Sequence, residues 1–347
     1  MDKSIDKTQA KLTISKEQYW DKPWSLVQGC SPVSPGCLHC WSAAEANIRQ
    51  HQKNPIIRDQ YAGLTHKVNG IPTFNGTVRP RWDRLEIPLK TKKPTVFAVW
   101  TDLFHEGMPN SFIASALAVM CDARCEKHTF LILTKRPGRW PQFMEWYGEA
   151  ARGAPSFLGR LPDNVWIIPT AENQEQADKR IPIALQIPAA HHGVSIEPTL
   201  GAVDFNAIPS FDIPGDSEAG RCWHYDAPWD EYIDLVILGF ETGSHARPGH
   251  PDWVRKVRDD CAAAGVPFFF KGWGEWIPSM EYANMHHLGQ HGRINAPWKY
   301  IRPDGRVTDD FMDIDSGTLY GIVHIGRKKA GRLLDGIEHN DLPWRKT

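Results

Sequence analysis

Six short apolar runs, each continuous rather than alternating with polar residues, limit what this chain can fold into more than any other feature. They are Thr95 to Trp100, Thr129 to Thr134, Val165 to Pro169, His192 to Ile196, Leu235 to Gly239 and Pro267 to Phe270. A strand with one wet face alternates, whereas a continuous run marks a strand covered on both faces, as in a parallel sheet wrapped by helices. Helical segments fall between the runs: Ser111 to Met120, Gln174 to Ile183 and Pro251 to Ala264. The last carries Pro251 and Asp252 in its first turn and stops at Gly265, in line with helix start and stop chemistry. Repeated strand and helix predict an α/β fold, a complete or partial (β/α) TIM-type barrel, with a doubly wound open sheet as the alternative.

The 347 residues suffice for one large domain or two small ones, and α/β barrels often fill this length as a single unit. Residues 1–20 are a polar tail, 21–276 hold the barrel, and a Pro-, Gly- and Asp-rich stretch around 205–230 reads as a loop. Beyond Trp276 the chain becomes irregular, with a hairpin from Trp298 to Val307 about Pro303, Asp304 and Gly305, so 277–347 form an irregular or β-rich cap. Forty basic against forty-one acidic residues do not indicate a generally basic nucleic-acid-binding surface and leave room only for local patches. No signal-peptide core and no run of eighteen apolar residues occurs, so the expectation is a soluble, cytoplasmic protein without a membrane partner. Of fifteen tryptophans, Trp24, Trp41, Trp82, Trp100, Trp273 and Trp276 sit in loop-like positions where a ring either lines a pocket or fills core, and core is the commoner fate.

Seven cysteines in a reducing compartment read as ligands or buried thiols. Cys121, Cys125, Cys222 and Cys261 read as core. Cys30, Cys37 and Cys40 do not: they lie on one loop, GCSPVSPGCLHCW, with gaps of six and two residues, turned by Pro32, Pro35 and Gly36. Three thiolates at one point suit a metal. Zinc needs a fourth ligand, His39 or a distant side chain, while a 4Fe-4S cluster sits on three cysteines and keeps one iron open. The absence of a second C-x2-C pair favours the cluster.

Each apolar run ends in charged or hydrogen-bonding residues. Thr101, Asp102, His105 and Glu106 follow the first, and Lys135 and Arg136 the second. Thr170, Glu172 and Asn173 follow the third, Glu197 the fourth, Glu241 and Thr242 the fifth, and Lys271 and Glu275 the last. A barrel gathers such residues at the C-terminal mouth of its strands, so a converging polar site is expected there. Arg79, Arg81 and Arg84 around Trp82 either contact a nucleic acid or form a solvated loop packed by one tryptophan. No nucleophile elbow or Ser-His-Asp order supports a hydrolase built on Glu197 and Glu241.

Taken together, the cysteine loop, FNGTVRPRWDRLEIPL (Phe74 to Leu89), TDLFHE (Thr101 to Glu106), LTKRP (Leu133 to Pro137), SIEPTLG (Ser195 to Gly201) and HPDWVRKVRDDCAAAGVPFFFKGWGEW (His250 to Trp276) resemble one family. It is the phage- and prophage-associated three-cysteine-motif family, itself distantly similar to the radical S-adenosylmethionine (SAM) enzymes. The resemblance runs from about Trp24 to Gly336. It implies a radical-SAM-like barrel in which Cys30, Cys37 and Cys40 hold the cluster, whose open iron chelates SAM and whose one-electron reduction yields a 5′-deoxyadenosyl radical. It differs from the usual radical-SAM motif in its longer first gap, in His39 before the last cysteine, and in lacking a Gly-Gly-Glu motif, for which Asp102 or Glu106 would substitute. Lys135 and Arg136 would then meet an anionic group of SAM or substrate, while Glu197, Glu241 and Lys271 would serve as catalytic groups. Implied partners are a reducing electron donor such as flavodoxin or ferredoxin, a nucleobase, nucleotide or nucleic acid as substrate, and a phage-encoded protein in the host cytoplasm. The non-enzymatic alternative is a zinc-stabilised phage protein that binds a nucleic acid or another protein.

Overall fold

The computed structural model describes residues 18–150, 160–209, 212–213, 223–224, 229–285, 296–309 and 319–345. Cys222, residues 1–17 of the tail and much of the 205–230 loop lie outside the described residues.

All six apolar runs are strands, within a residue or two of their expected bounds, and a seventh precedes them. We label them β1 (Lys22–Pro23), β2 (Val96–Val99), β3 (Thr129–Thr134), β4 (Val165–Pro169), β5 (His191–Ile196), β6 (Leu235–Gly239) and β7 (Phe268–Gly272). All pair in parallel and in consecutive order, β1 to β7, leaving β1 and β7 as the edges of an open sheet that curls into a half-barrel. A doubly wound sheet reverses its order at a switch point. This one does not, so right-handed crossovers bring the helices between its strands to one face.

Alternation inside each continuous run decides the two faces. Phe130 and Ile132 of β3, Val165 and Ile167 of β4, Val236 and Leu238 of β6, and Phe268 and Phe270 of β7 point out to the helical layer. Leu131, Trp166, Ile168, Leu235, Ile237 and Phe269, between them in sequence, form a separate cluster on the concave face, filled out by Tyr19, Trp20, Leu342 and Trp344. Both faces are thus dry, which is why the runs do not alternate.

The longer helices are α1 (Trp41–Gln50), α2 (Asn110–Met120), α3 (Arg139–Ala150), α4 (Gln174–Leu185) and α5 (Pro251–Ala264). Asn173 caps α4 by accepting from the Gln176 N–H, and α5 ends as expected on Gly265 in the left-handed region at φ 71°. α5 turns Trp253, Val254, Val257 and Cys261 inward at helical spacing. Of the three described cysteines read as core, Cys125 and Cys261 are buried, while Cys121 is half-buried.

Trp276 opens a second sheet of β8 (Trp276–Pro278), β9 (Trp298–Ile301), β10 (Val307–Thr308) and β11 (Tyr320–His324), ordered β8-β11-β9-β10. The expected hairpin is the β9–β10 pair. The cap does not keep the rest of the chain: at residues 339–341 it returns to the β7 edge, where Phe270 N–H donates to the His339 carbonyl at 3.1 Å and Asp341 N–H to the Phe268 carbonyl at 3.2 Å. Trp24 and Trp273 are fully buried, whereas Trp41 and Trp82 are about half exposed. No helix among the described residues is long and apolar enough to cross a membrane.

Candidate cysteine-loop site at the barrel mouth

The loop carrying Cys30, Cys37 and Cys40 lies across the C-terminal ends of the strands, and successive strand ends grip it. After β2, Asp102 bonds the Thr134 hydroxyl at 2.6 Å, the Lys135 N–H at 2.9 Å, the Phe104 N–H at 3.2 Å and Arg136 Nη1 at 3.2 Å. Its two oxygens are therefore occupied in shaping the next strand end. Arg136, buried, spreads its guanidinium over Glu106 Oε2 at 3.0 Å, the Ser31 carbonyl at 2.7 Å and Cys30 Sγ at 3.6 Å. Ser31 Oγ also meets His105 Nε2 at 2.9 Å.

Lys135 Nζ lies 3.8 Å from Cys37 Sγ and 3.8 Å from Glu172 Oε2. Glu172, fully buried after β4, accepts from the Gly36 N–H at 3.1 Å and from Arg180 Nη1 at 2.9 Å. A side chain at Gly36 would stand 2.7 Å from Lys135 Nζ and 2.9 Å from Glu172 Oε1, so glycine is what allows this approach. After β6, Glu241 accepts from Arg247 Nη2 at 2.7 Å and Nε at 2.9 Å, and sits 3.1 Å from His39 Nδ1. Arg247 Nη2 closes the circuit on the Pro35 carbonyl at 3.0 Å.

These contacts set the three thiols apart. Burial pushes Cys30 up to about 11 despite the Arg136 charge. Burial raises Cys40 too, outweighing the backbone groups of Ser42 and Ala43 at the start of α1, which it N-caps. Burial also works against the Cys37 thiolate, but the Lys135 ammonium and the hydrogen bonds of Val33 and Ser34 outweigh it and hold Cys37 below the usual thiol value. Glu172 and Glu241 are held below the usual carboxylate range: burial opposes this, but Lys135, Ser34 and Arg180 win at the first and Arg247 and His39 at the second. Carboxylates so held make poor proton donors at neutral pH.

Glu197 and Lys271 form a second group on the concave face, apart from the loop. Lys271 Nζ lies 2.8 Å from Glu197 Oε1, and both the Tyr19 and Ser195 hydroxyls donate to Glu197 Oε2 at 3.3 Å. A side chain at Gly239 would come within 2.9 Å of Glu197 Oε1, so this glycine makes room for the pair. Burial beside Glu197 raises Tyr19 well above the usual phenol value.

The structure thus brings Cys30, Cys37, Cys40, Asp102, Glu106, Lys135, Arg136 and Glu241 together, and sets Glu197 with Lys271 beside them. Arg79, Arg81, Trp82 and Arg84 lie on another segment. Arg79 caps the Gln60 and Ala62 carbonyls, Arg81 pairs with Asp83 at 2.7 Å, and the Trp82 ring packs edge-on against Phe112 at 4.8 Å. Sequence reasoning did not single out Tyr19, Ser195 or Arg247 as site residues. Arg247 follows Glu241 by six positions and Ser195 precedes Glu197 by two, but Tyr19 reaches Glu197 from 178 residues away and leaves no local signal.

Among the described residues no three His, Cys, Asp or Glu side chains are grouped as a single metal ion requires. The donor set nonetheless fits a larger iron-sulfur group: three partly exposed soft sulfurs, two of them faced by fixed cations that would offset the negative charge of thiolate-bound iron. No curated protein and no solved structure matches the chain. Residues 14–343 match the family described as protein of unknown function (DUF5131), and the chain belongs to that family.

Proposed function

We propose that this protein is an iron-sulfur enzyme of the radical SAM type. The observation that carries the reading is the delivery of Cys30, Cys37 and Cys40 to the C-terminal mouth of a partial β/α barrel, with Arg136 at Cys30 and Lys135 at Cys37. The three cysteines would hold a 4Fe-4S cluster; when bound with SAM, it supplies one-electron cleavage of a carbon-sulfur bond, with 5′-deoxyadenosine as a measurable product.

The chain's own residues have separable tasks in this reading. Asp102, Arg136, Glu172, Glu241 and Arg247 are positioning residues, because each has its polar atoms engaged with the loop or with a neighbour that holds it. Lys135 compensates thiolate charge. Glu197 and Lys271, which the loop leaves aside, form the polar pair available to SAM or substrate, held from below by the buried Ser195 and Tyr19 hydroxyls, and the apolar concave face beneath them excludes water.

Anaerobic purification with iron, sulfide and zinc analysis tests the proposal, comparing wild type with the Cys30→Ala, Cys37→Ala, Cys40→Ala triple variant. About four irons and four sulfides per chain in the wild type alone, followed by 5′-deoxyadenosine release from SAM under reduction, is the expected result. Stoichiometric zinc, or no metal after reconstitution, would refute it.

A further inference from the structure

Where the cap meets the end of β6, an open cleft of about 520 Å³ lies between Thr242 and Gly243 on one side and Arg327, Lys328 and Lys329 on the other. Its size is that of a small-ligand site. Three consecutive exposed cations line it, against one carboxylate, Glu275. Three cations against one carboxylate leave the lining net positive. Glu275 Oε1 accepts from the Gly243 N–H at 2.9 Å and Oε2 from the Arg327 N–H at 3.1 Å, so it ties the two walls together through their backbones. The Glu275 carbonyl accepts from the N–H groups of both Ile325 and Gly326, each at 3.1 Å, which fixes the basic wall in place. Gly243, in the left-handed region at φ 106°, has open space where a side chain would be.

We infer that this cleft is a phosphate-binding site and, on the functional reading above, that the substrate worked on at the cysteine loop carries phosphate. Three like charges on a preformed wall repel one another, and an anion with several oxygens relieves that repulsion while taking hydrogen bonds from each cation. The cleft also adjoins the loop. Thr242 follows Glu241, which holds His39, and the Glu275 N–H donates to the Glu241 carbonyl at 3.2 Å. A phosphate anchored here lies next to the strand end whose Glu241 holds His39, the neighbour of Cys40 in the loop.

The phosphate belongs either to a free nucleotide or to a nucleic-acid strand, and two probes separate these: a fluorescent ATP analogue and a fluorescein-labelled twelve-residue oligothymidylate. Each is titrated by anisotropy against the full chain at several salt concentrations, beside a labelled polyglutamate of similar charge. Wild type is expected to bind at least one phosphate probe in preference to polyglutamate. The Arg327→Ala, Lys328→Ala, Lys329→Ala variant should bind it at least ~10-fold more weakly, and for the strand the log-log salt slope should drop by about 2 for three lost contacts. Lys92→Ala, Lys93→Ala, at the opposite end of the strands, should change neither. No binding by wild type, equal capture of polyglutamate, an unaffected triple variant, or an equal loss in the control variant would each overturn the inference. Binding needs neither iron nor SAM, so iron content and 5′-deoxyadenosine release measured on the same preparations report separately on the functional reading.

Discussion

At the scale of single residues, the three thiols of the loop are unequal because burial wins at Cys30 and Cys40 and is outweighed by a cation and hydrogen bonds only at Cys37. Cys37 has Lys135 at 3.8 Å and the Ser34 hydroxyl at the same distance, whereas Cys30 is pushed up to about 11 by burial. The thiolate is the nucleophile, so iodoacetamide should modify Cys37 of the metal-free chain at lower pH than Cys30 or Cys40. Lys135 lowers the Cys37 value; Lys135→Met therefore raises it and moves the alkylation profile to higher pH. Gly36→Ala, by displacing the Lys135 ammonium and the Glu172 carboxylate, should move it the same way. Peptide-resolved mass spectrometry across pH 6 to 10 checks the order, and faster labelling of Cys30 would refute it. The cysteines themselves were legible because their spacing is local. Their partners were not, since Lys135 stands 98 positions from Cys37 and Glu241 stands 202 from His39, separations at which neither neighbourhood carries a mark of the other.

Among elements, the strands were legible and some helices were not, for one reason. A strand buried on both faces shows an unbroken apolar run, but α1 buries only Ala43 and Ala46 and so shows no apolar stripe. Likewise β1 is two residues long and ends in proline. The polar strand ends converge largely on the loop. Glu241 illustrates the difference: read as a catalytic group, it is engaged by Arg247 and His39 as a clamp. Glu241→Gln should cost about 2 kcal/mol at pH 7, the scale of hydrogen bonds to a charged group. Its folded value lies below the usual carboxylate value. The stabilisation is therefore complete above the unfolded pKa of about 4.3 and fades as pH falls through the lower folded value. Urea unfolding of wild type and variant should differ by a constant amount from pH 6 to 8 and converge below about pH 4. A difference unchanged at low pH would mean the carboxylate acts by packing alone.

On the scale of the whole molecule, alternating strands and helices could not distinguish a barrel from a doubly wound sheet, because both are built from the same units. Consecutive pairing from β1 to β7 makes the distinction, and it leaves a concave face that needs covering. Residues far apart in sequence cover it. Leu342 is 5% exposed within that cluster, the Trp344 ring meets Trp166 edge-on at 5.1 Å, and Trp344 Nε1 donates to the Tyr19 carbonyl at 3.0 Å. Tyr19 in turn donates to Glu197 and stacks edge-on with Phe269 at 5.8 Å. The segment that seals the half-barrel therefore also supports the Glu197–Lys271 patch. Leu342→Ala should cost about 2 to 4 kcal/mol in urea unfolding, the range for a buried leucine that leaves a cavity. Trp344→Ala should add a second effect that Leu342→Ala lacks, because it removes the hydrogen bond to the Tyr19 carbonyl. In hydrogen-exchange measurements on the folded variant, amides around Tyr19 should then exchange faster, while those of β3 and β4 stay protected. Wild-type stability for Leu342→Ala would show that residues 342–344 are not part of the core. Equal deprotection of every strand in Trp344→Ala would show that the seal and the sheet open together rather than as separate units.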